Sequence, residues 1–236
     1  MEKGMQIKQF RYSTDNFSYL LHGSQSAMAI DAGAVDSILS YIQDSKLHLQ
    51  YVTNTHMHPD HVSGNREILD RTDAEFIDNQ TLRKQKTILL DNEIIQVFHT
   101  PGHTEDSLIF HADSFIVSGD TLFNGTVGNC FTGDLNAFFS SIKLIFDLPE
   151  TTIVYAGHDY VRYAIQFART IDPDNPELDR FLSKYDPYHV FSTLADELKV
   201  NPYVRFNDEK MTAVLKKKGL PMETEFQRWK SLMEVY

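Results

Sequence analysis

Six residues constrain this chain more than any other stretch: His56-Met57-His58-Pro59-Asp60-His61. The run matches H-x-H-x-D-H, a pattern that this composition yields by chance in roughly one chain in a thousand. It directly follows Leu49-Gln50-Tyr51-Val52-Thr53-Asn54, which reads as a strand. The side chains therefore leave a strand's C-terminal end on a loop, where sites on α/β scaffolds usually lie. Imidazole and carboxylate donors suit Zn, Fe or Mn, whereas structural zinc sites more often use thiolates. The single cysteine, Cys130, can build neither such a site nor an intramolecular disulfide.

Three further segments repeat the arrangement of a ligand-type residue at a strand end. Thr100-Pro101-Gly102-His103 puts a histidine on a tight turn, Ser118-Gly119-Asp120-Thr121 an aspartate, and Ala156-Gly157-His158-Asp159 another histidine. Taken singly, each has an ordinary structural explanation. Together, four strand ends supply five histidines and two aspartates, enough for two divalent metal ions. His22, His48, His111 and His189 have no ligand-like context. His99, four residues before His103, is the one remaining histidine placed to support a ligand.

The rest of the composition narrows the class. An apolar fraction of 42% is ample for a buried core in 236 residues. Twenty-two Lys and Arg against 33 Asp and Glu leave a net charge of −11, which argues against a nucleic-acid partner. The first residues carry no apolar run long enough for an export signal or a membrane span, so a cytoplasmic protein without a membrane partner is expected. Strands are expected over 17–21, 28–32, 50–54, 75–78, 94–100, 107–111, 115–118 and 152–156, with helices over 35–44, 65–71 and 135–146. After Tyr160 no strand is expected. Helices are read there over 161–169, 177–184, 194–200, 210–217 and 223–233, the first stopped by Asp172-Pro173-Asp174-Asn175-Pro176 and the third opened by Thr193-x-x-Asp196. The expected fold is thus an α/β core of sheets with helices on their outer faces, followed by a helical C-terminal segment from near residue 165.

The ligand pattern resembles that of the metallo-β-lactamase superfamily, and within it the glyoxalase II (hydroxyacylglutathione hydrolase) family. The resemblance runs through Asn16-Phe17-Ser18-Tyr19-Leu20, Ile30-Asp31-Ala32-Gly33, His61-Val62-Ser63-Gly64-Asn65, Gly119-Asp120-Thr121-Leu122-Phe123 and Gly157-His158-Asp159-Tyr160. Most specific is Ser192-Thr193-Leu194 with Glu197 and Asn201-Pro202-Tyr203-Val204-Arg205, similar to the S-T-L-x-x-E-x-x-x-N-P-F-x-R segment of the family's helical domain. The resemblance implies an αββα sandwich over residues 1–165 and a helical substrate-binding domain over 166–236. It further implies that His56, His58 and His103 hold one metal, that Asp60, His61 and His158 hold the second, and that Asp120 bridges them. Asp60 and Asp120 are the implied catalytic carboxylates, and the cofactor is two divalent ions, Zn, Fe or Mn.

The implied reaction is hydrolysis of S-D-lactoylglutathione or a related 2-hydroxyacyl-glutathione to glutathione and a hydroxy acid, in methylglyoxal detoxification. The resemblance assigns Tyr160, Arg205 and Lys210 to the glutathione moiety. Arg205 suits a carboxylate because its fork can bind both oxygens. The loop Asn124–Gly133 departs from the family pattern: Asn129 stands where Lys or Arg is usual, and Phe131 where Tyr or Phe is found. Losing a charge-assisted contact there costs about 1.5–3 kcal/mol, which leaves a different acyl-thiol open as substrate. Cys130 has no partnered base and reads as a packed thiol. A mono-iron persulfide dioxygenase on the same fold is the competing activity. No serine-nucleophile triad or P-loop is found. A monomer is expected.

Overall fold

The computed structural model describes residues 4–235. The chain opens with three antiparallel strands, β1 (Gln6–Tyr12), β2 (Asn16–His22) and β3 (Ser26–Ile30). Helix α1 (Val35–Ser45) then crosses to β4 (His48–Thr53), and α2 (Asn65–Asp70) to β5 (Glu75–Phe76), each new strand parallel to the last. Helix α3 (Asn79–Gln85) leads into a second sheet. There β6 (Thr87–Leu90), β7 (Glu93–His99), β8 (Leu108–Ala112) and β9 (Phe115–Gly119) form an antiparallel meander. A ribbon of β10 (Leu122–Phe123) and β11 (Thr126–Val127) and helix α4 (Leu135–Phe146) precede β12 (Ile153–Ala156), parallel to β9. Helices α5 (Val161–Ile171) and α6 (Pro176–Lys184), a two-residue strand β13 (Ser192–Thr193), and helices α7 (Leu194–Val200), α8 (Glu209–Lys218) and α9 (Glu225–Val235) complete the chain.

Strand alternation builds three apolar layers. Because successive side chains point to opposite faces, Tyr19, Leu21, Met28 and Ile30 meet Val97, Phe110 and Val117 between the two sheets. Their neighbours Leu20, Ala27 and Ala29 face outward onto Ile38 of α1 and Ile68 of α2. On the other side Ile109 and Ile116 meet Phe138 and Ile142 of α4 and Trp229 and Leu232 of α9. The order helix, sheet, sheet, helix is the expected αββα sandwich. The C-terminal helices share these layers: Val161, Ile165 and Leu178 join the inter-sheet core, and Leu215 and Trp229 the outer one.

Most expected elements stand where the pattern places them, with α5 ending at Ile171 and α6 beginning at Pro176 behind an Asn175 cap. Thr193 and Asp196 form the reciprocal capping box at the start of α7. Two differences have clear causes. The expectation of no strand after Tyr160 is corrected by β13, which pairs antiparallel with Ile153 and Val154 of β12; two residues are too few to show a period. Strand β1, strand β6 and helix α3 escape a periodicity reading because each is short or half-polar, and α3 buries only Asn79 and Leu82.

Candidate metal centre

The seven ligand-type residues come from the C-terminal ends of β4, β7, β9 and β12, two sheets whose ends converge on one edge. After β4 the run 56–61 is folded into a turn by the His61 N–H donating to the His58 carbonyl at 3.0 Å. Asp120 follows Gly119, whose φ of +50° and contact with Thr55 exclude a side chain. A Cβ on Gly157 would collide with Asp120 Oδ1, so only glycine lets β12 approach the site this closely.

Two groups of donor atoms result: His56, His58, His103 and Asp120 in one, Asp60, His61 and His158 in the other. In the first, His58 Nδ1 lies 2.9 Å from His56 Nε2 and 3.1 Å from His103 Nε2. Asp120 Oδ2 lies 3.4 Å from His103 Nε2 and 3.9 Å from His56 Nε2. In the second, His158 Nε2 lies 3.2 Å from His61 Nε2 and 3.4 Å from Asp60 Oδ2. Asp120 reaches this group too, at 3.4 Å from His61 Nε2 and 3.5 Å from His158 Nε2. It therefore lies on the seam between the groups.

Tetrahedral coordination at a Zn–N distance near 2.0–2.1 Å sets neighbouring ligand atoms about 3.3–3.4 Å apart. The observed spacings bracket that value. The opposite ring nitrogens are already committed: His61 Nδ1 faces Asp31 Oδ2 at 2.9 Å, His158 Nδ1 faces Asp15 Oδ1 at 2.9 Å, and His103 Nδ1 faces the Asn129 carbonyl at 3.0 Å. His56 Nδ1 sits 3.1 Å from Thr55 Oγ1. An N–H donated outward leaves the Nε2 lone pair pointing inward, the tautomer a metal requires. Asp120 Oδ1 is buried and finds no hydrogen-bond partner among the described residues. Facing lone pairs and an orphaned carboxylate oxygen are unfavourable for a protein alone and fit divalent cations.

The electrostatics agree. Burial pushes the His56 imidazole down to about 3, helped by the neighbouring His61 charge. Burial opposes charging His61 as well, but Asp31 and Asp120 outweigh it and push that imidazole up to about 11. Burial also disfavours the Asp120 carboxylate, yet the neighbouring His158 and His61 imidazoles hold it well below the usual carboxylate range.

Beside the centre opens a cleft of about 570 Å³ walled by Phe123, Tyr160, Tyr163, Phe167 and Tyr203, with Asn129 on its rim. Tyr160 stacks on His158, centroids 5.0 Å apart at 4° between ring planes, so cleft and metal centre share a wall. Burial pushes the Tyr160 phenol up to about 12, with the Asp15 and Asp120 charges adding to it. Phe131, two-thirds exposed, stands edge-on to His58 and His103 at 5.7 and 5.1 Å. Tyr160, Asn129 and Phe131 are thus brought to the site.

Two sequence-predicted residues are not. Arg205 is buried and holds Asp172 at 2.9 Å and Asp208 at 3.0 Å, which occupies the fork expected for a substrate carboxylate. Lys210 is exposed in the first turn of α8, and neither residue lines the cleft. Cys130 is half-buried against the outer core, as a packed thiol should be. His99 Nε2 faces the Glu105 carbonyl at 2.7 Å and ties down the loop that carries His103. Sequence reasoning missed Asp31 and Asp15 as partners of ligands. A strand ending in Asp-Ala-Gly is a weak signal for the first; Asp15 lies in an ordinary turn sequence.

Comparison with known proteins gives the class first. Residues 14–82 match the metallo-β-lactamase superfamily model, and 159–233 the model for the hydroxyacylglutathione hydrolase C-terminus. The fold is shared with ETHE1 from Myxococcus xanthus, at a TM-score of 0.71 and 23% identity over 98% of this chain and 91% of that one. The molecule therefore shares the αββα fold. The hydroxyacylglutathione hydrolase of Pelagibacter ubique (strain HTCC1062) is 32% identical over 87% of this chain and 95% of its own length. That of Brucella ovis is 31% identical over 96% of each. The chain belongs to the hydroxyacylglutathione hydrolase family.

Proposed function

We propose that this protein is a two-metal thioester hydrolase that cleaves S-D-lactoylglutathione or a related 2-hydroxyacyl-glutathione to glutathione and the hydroxy acid. The observation that carries the reading is the convergence of seven donor atoms at ligand spacing, with the outer ring nitrogens of four of the five histidines already engaged. In this reading His56, His58 and His103 hold one divalent ion and Asp60, His61 and His158 the other, with Asp120 between them; Zn, Fe or Mn fits the donor set. When bound, the pair supplies Lewis acidity for the acyl oxygen and a water acidified toward neutral pH.

The chain's own residues do the rest. Asp31 and Asp15 keep their imidazoles oriented, so little reorganisation is needed during turnover. Asn16 Nδ2 donates to Asp60 Oδ2 at 2.8 Å, fixing the most exposed carboxylate of the centre. Tyr160 and the cleft beyond it receive the thiol half and keep water from its face. A thiolate leaves readily, so no dedicated general acid is required. We assign catalysis to residues 1–165 and the far wall of the cleft to 166–236, where Phe167 and Tyr203 lie. A cytoplasmic monomer is the accompanying proposal; among the described residues no helix is long and apolar enough to cross a membrane.

The test is metal analysis paired with S-D-lactoylglutathione hydrolysis. Two metals per chain with thioester turnover are expected. One iron, with oxygen uptake on glutathione persulfide and no thioester turnover, would replace this reading with a dioxygenase.

A further inference from the structure

Among the described residues, the ten that line the cleft beside the metal centre include no Asp, Glu, Lys, Arg or His. Its chemistry is ring faces and phenols. Tyr163, Phe167 and Tyr203 lie nearly parallel in series, with centroids 6.4 and 6.2 Å apart and interplanar angles of 11° and 10°. Phe123 meets Tyr160 edge-on at 4.9 Å. Cations on the helices that form these walls are engaged elsewhere: on α5 Arg169 holds Asp179 at 2.6 Å, and on α9 Arg228 donates to Asn207 Oδ1 at 3.0 Å and Lys230 lies 3.5 Å from Glu234. Arg205 is bound between Asp172 and Asp208, and Arg162, adjacent to Tyr163 on α5, lies over the Tyr185 ring at 5.1 Å. The protein as a whole carries a net charge of −11, which repels anions.

A glutathione thioester brings two carboxylates and one ammonium into whatever pocket holds it. Burying a carboxylate beside aromatic rings with no cation forfeits hydration without a charge-assisted bond to replace it. The same walls suit an uncharged thiol, whose apolar and amide groups can stack on rings and bond to phenols. The position of the cleft fits the leaving group. Tyr160 joins it to His158, and Asn129, whose carbonyl faces His103 Nδ1, joins it to the other metal group.

We propose that the cleft recognises the thiol half of the substrate by ring stacking and neutral hydrogen bonds alone, so that hydroxyacyl thioesters of uncharged thiols are turned over at least as well as the glutathione thioester. The proposal rests on the thioesterase reading above. The reaction is plain hydrolysis: the water oxygen bonds to the acyl carbon, the C–S bond breaks, sulfur leaves with the electron pair, and a water proton ends on the thiol.

The experiment compares S-D-lactoylglutathione with its diethyl ester, in which both glutathione carboxylates are masked, in about 0.2 M salt, where long-range charge effects are screened. The metal-loaded wild-type enzyme should show a kcat/KM for the diester equal to or above that for the parent. A parent preferred ten-fold or more overturns the proposal. Because Asn129 is exposed on the rim and touches His103 only through its backbone, N129K adds a cation without removing a side-chain contact. It should raise the parent-to-diester ratio about 10-fold or more, the worth of one charge-assisted bond. An unmoved ratio in N129K means that the carboxylates do not reach this cleft, and it overturns the proposal as well. Hydrolysis of neither thioester would instead defeat the thioesterase reading, a separate outcome.

Discussion

The metal centre and the cleft beside it are built on opposite principles. In the centre, four of the five histidines are buried and each of those four has its outer nitrogen held by Asp31, Asp15, Thr55 or the Asn129 carbonyl. In the cleft, the walls are aromatic side chains, three of them stacked in series, and Tyr163 is 71% exposed. The centre is fixed before anything binds, which electrostatic catalysis needs. The cleft is a permissive surface of neutral rings. Reaction type is therefore specified far more tightly than the identity of the leaving thiol.

The harshest challenge to that contrast is Asp120→Ala. Removing the carboxylate shared by both groups should abolish stoichiometric metal binding and lower kcat by about a thousand-fold or more, within the range for losing a principal electrostatic stabiliser. A fully metallated, fully active D120A protein would sink the assignment. Asp31→Asn tests the outer support. Asp31 accepts from the Thr55 N–H at 2.8 Å and the Thr55 hydroxyl at 2.7 Å besides facing His61. Metal affinity by competitive chelation should fall about 10- to 100-fold while the fold persists.

Arg205→Ala separates structure from recognition. Breaking a buried pair leaves Asp172 uncompensated, so denaturant unfolding should show a loss of about 3–5 kcal/mol. KM for the thioester should stay within about two-fold, since the guanidinium lies outside the cleft. A large rise in KM with unchanged stability would return Arg205 to the substrate.

The mildest effect concerns Glu197, which joins the helical segment to the loop beside the cleft. It accepts from the Gly125 N–H at 3.0 Å and from Asn201 Nδ2 at 2.9 Å. Burial nevertheless pushes its carboxyl up from 4.5 to about 7. Between those values the folded chain keeps a proton that the unfolded chain has released. The contribution to stability is therefore full below pH 4.5 and declines as pH rises through 7, by about 3 kcal/mol. Thermal melts of E197Q across that window should lose this component of the wild-type slope. An identical pH profile in the two proteins would show that Glu197 does not titrate there.

Much of the centre was legible because its signals are local. A strand followed by a histidine-rich loop, or by Gly-Asp-Thr, can be read from a few neighbouring residues, and all seven ligand-type positions were. Strand alternation and helix spacing likewise gave sheets with helices on their outer faces, and the family resemblance gave the αββα order. The surroundings of Arg205 were not legible, for the converse reason. Sequence shows a guanidinium near a substrate-binding segment, but its partner Asp172 is 33 residues away, at the end of α5. Strand β13 was missed because its only evidence is the pairing with β12.

By itself, then, the sequence determined the donor chemistry, the strand ends that present it and the family to which the chain belongs. Each of these is encoded in residue type and short spacing, which the fold cannot alter. Tertiary structure alone decided which aspartates orient which imidazoles, and that Arg205 is spent within the protein. It also decided that Phe123, Tyr160, Tyr163, Phe167 and Tyr203 converge on one uncharged cleft. Those pairings join segments tens of residues apart, and only packing brings such segments within reach of one another.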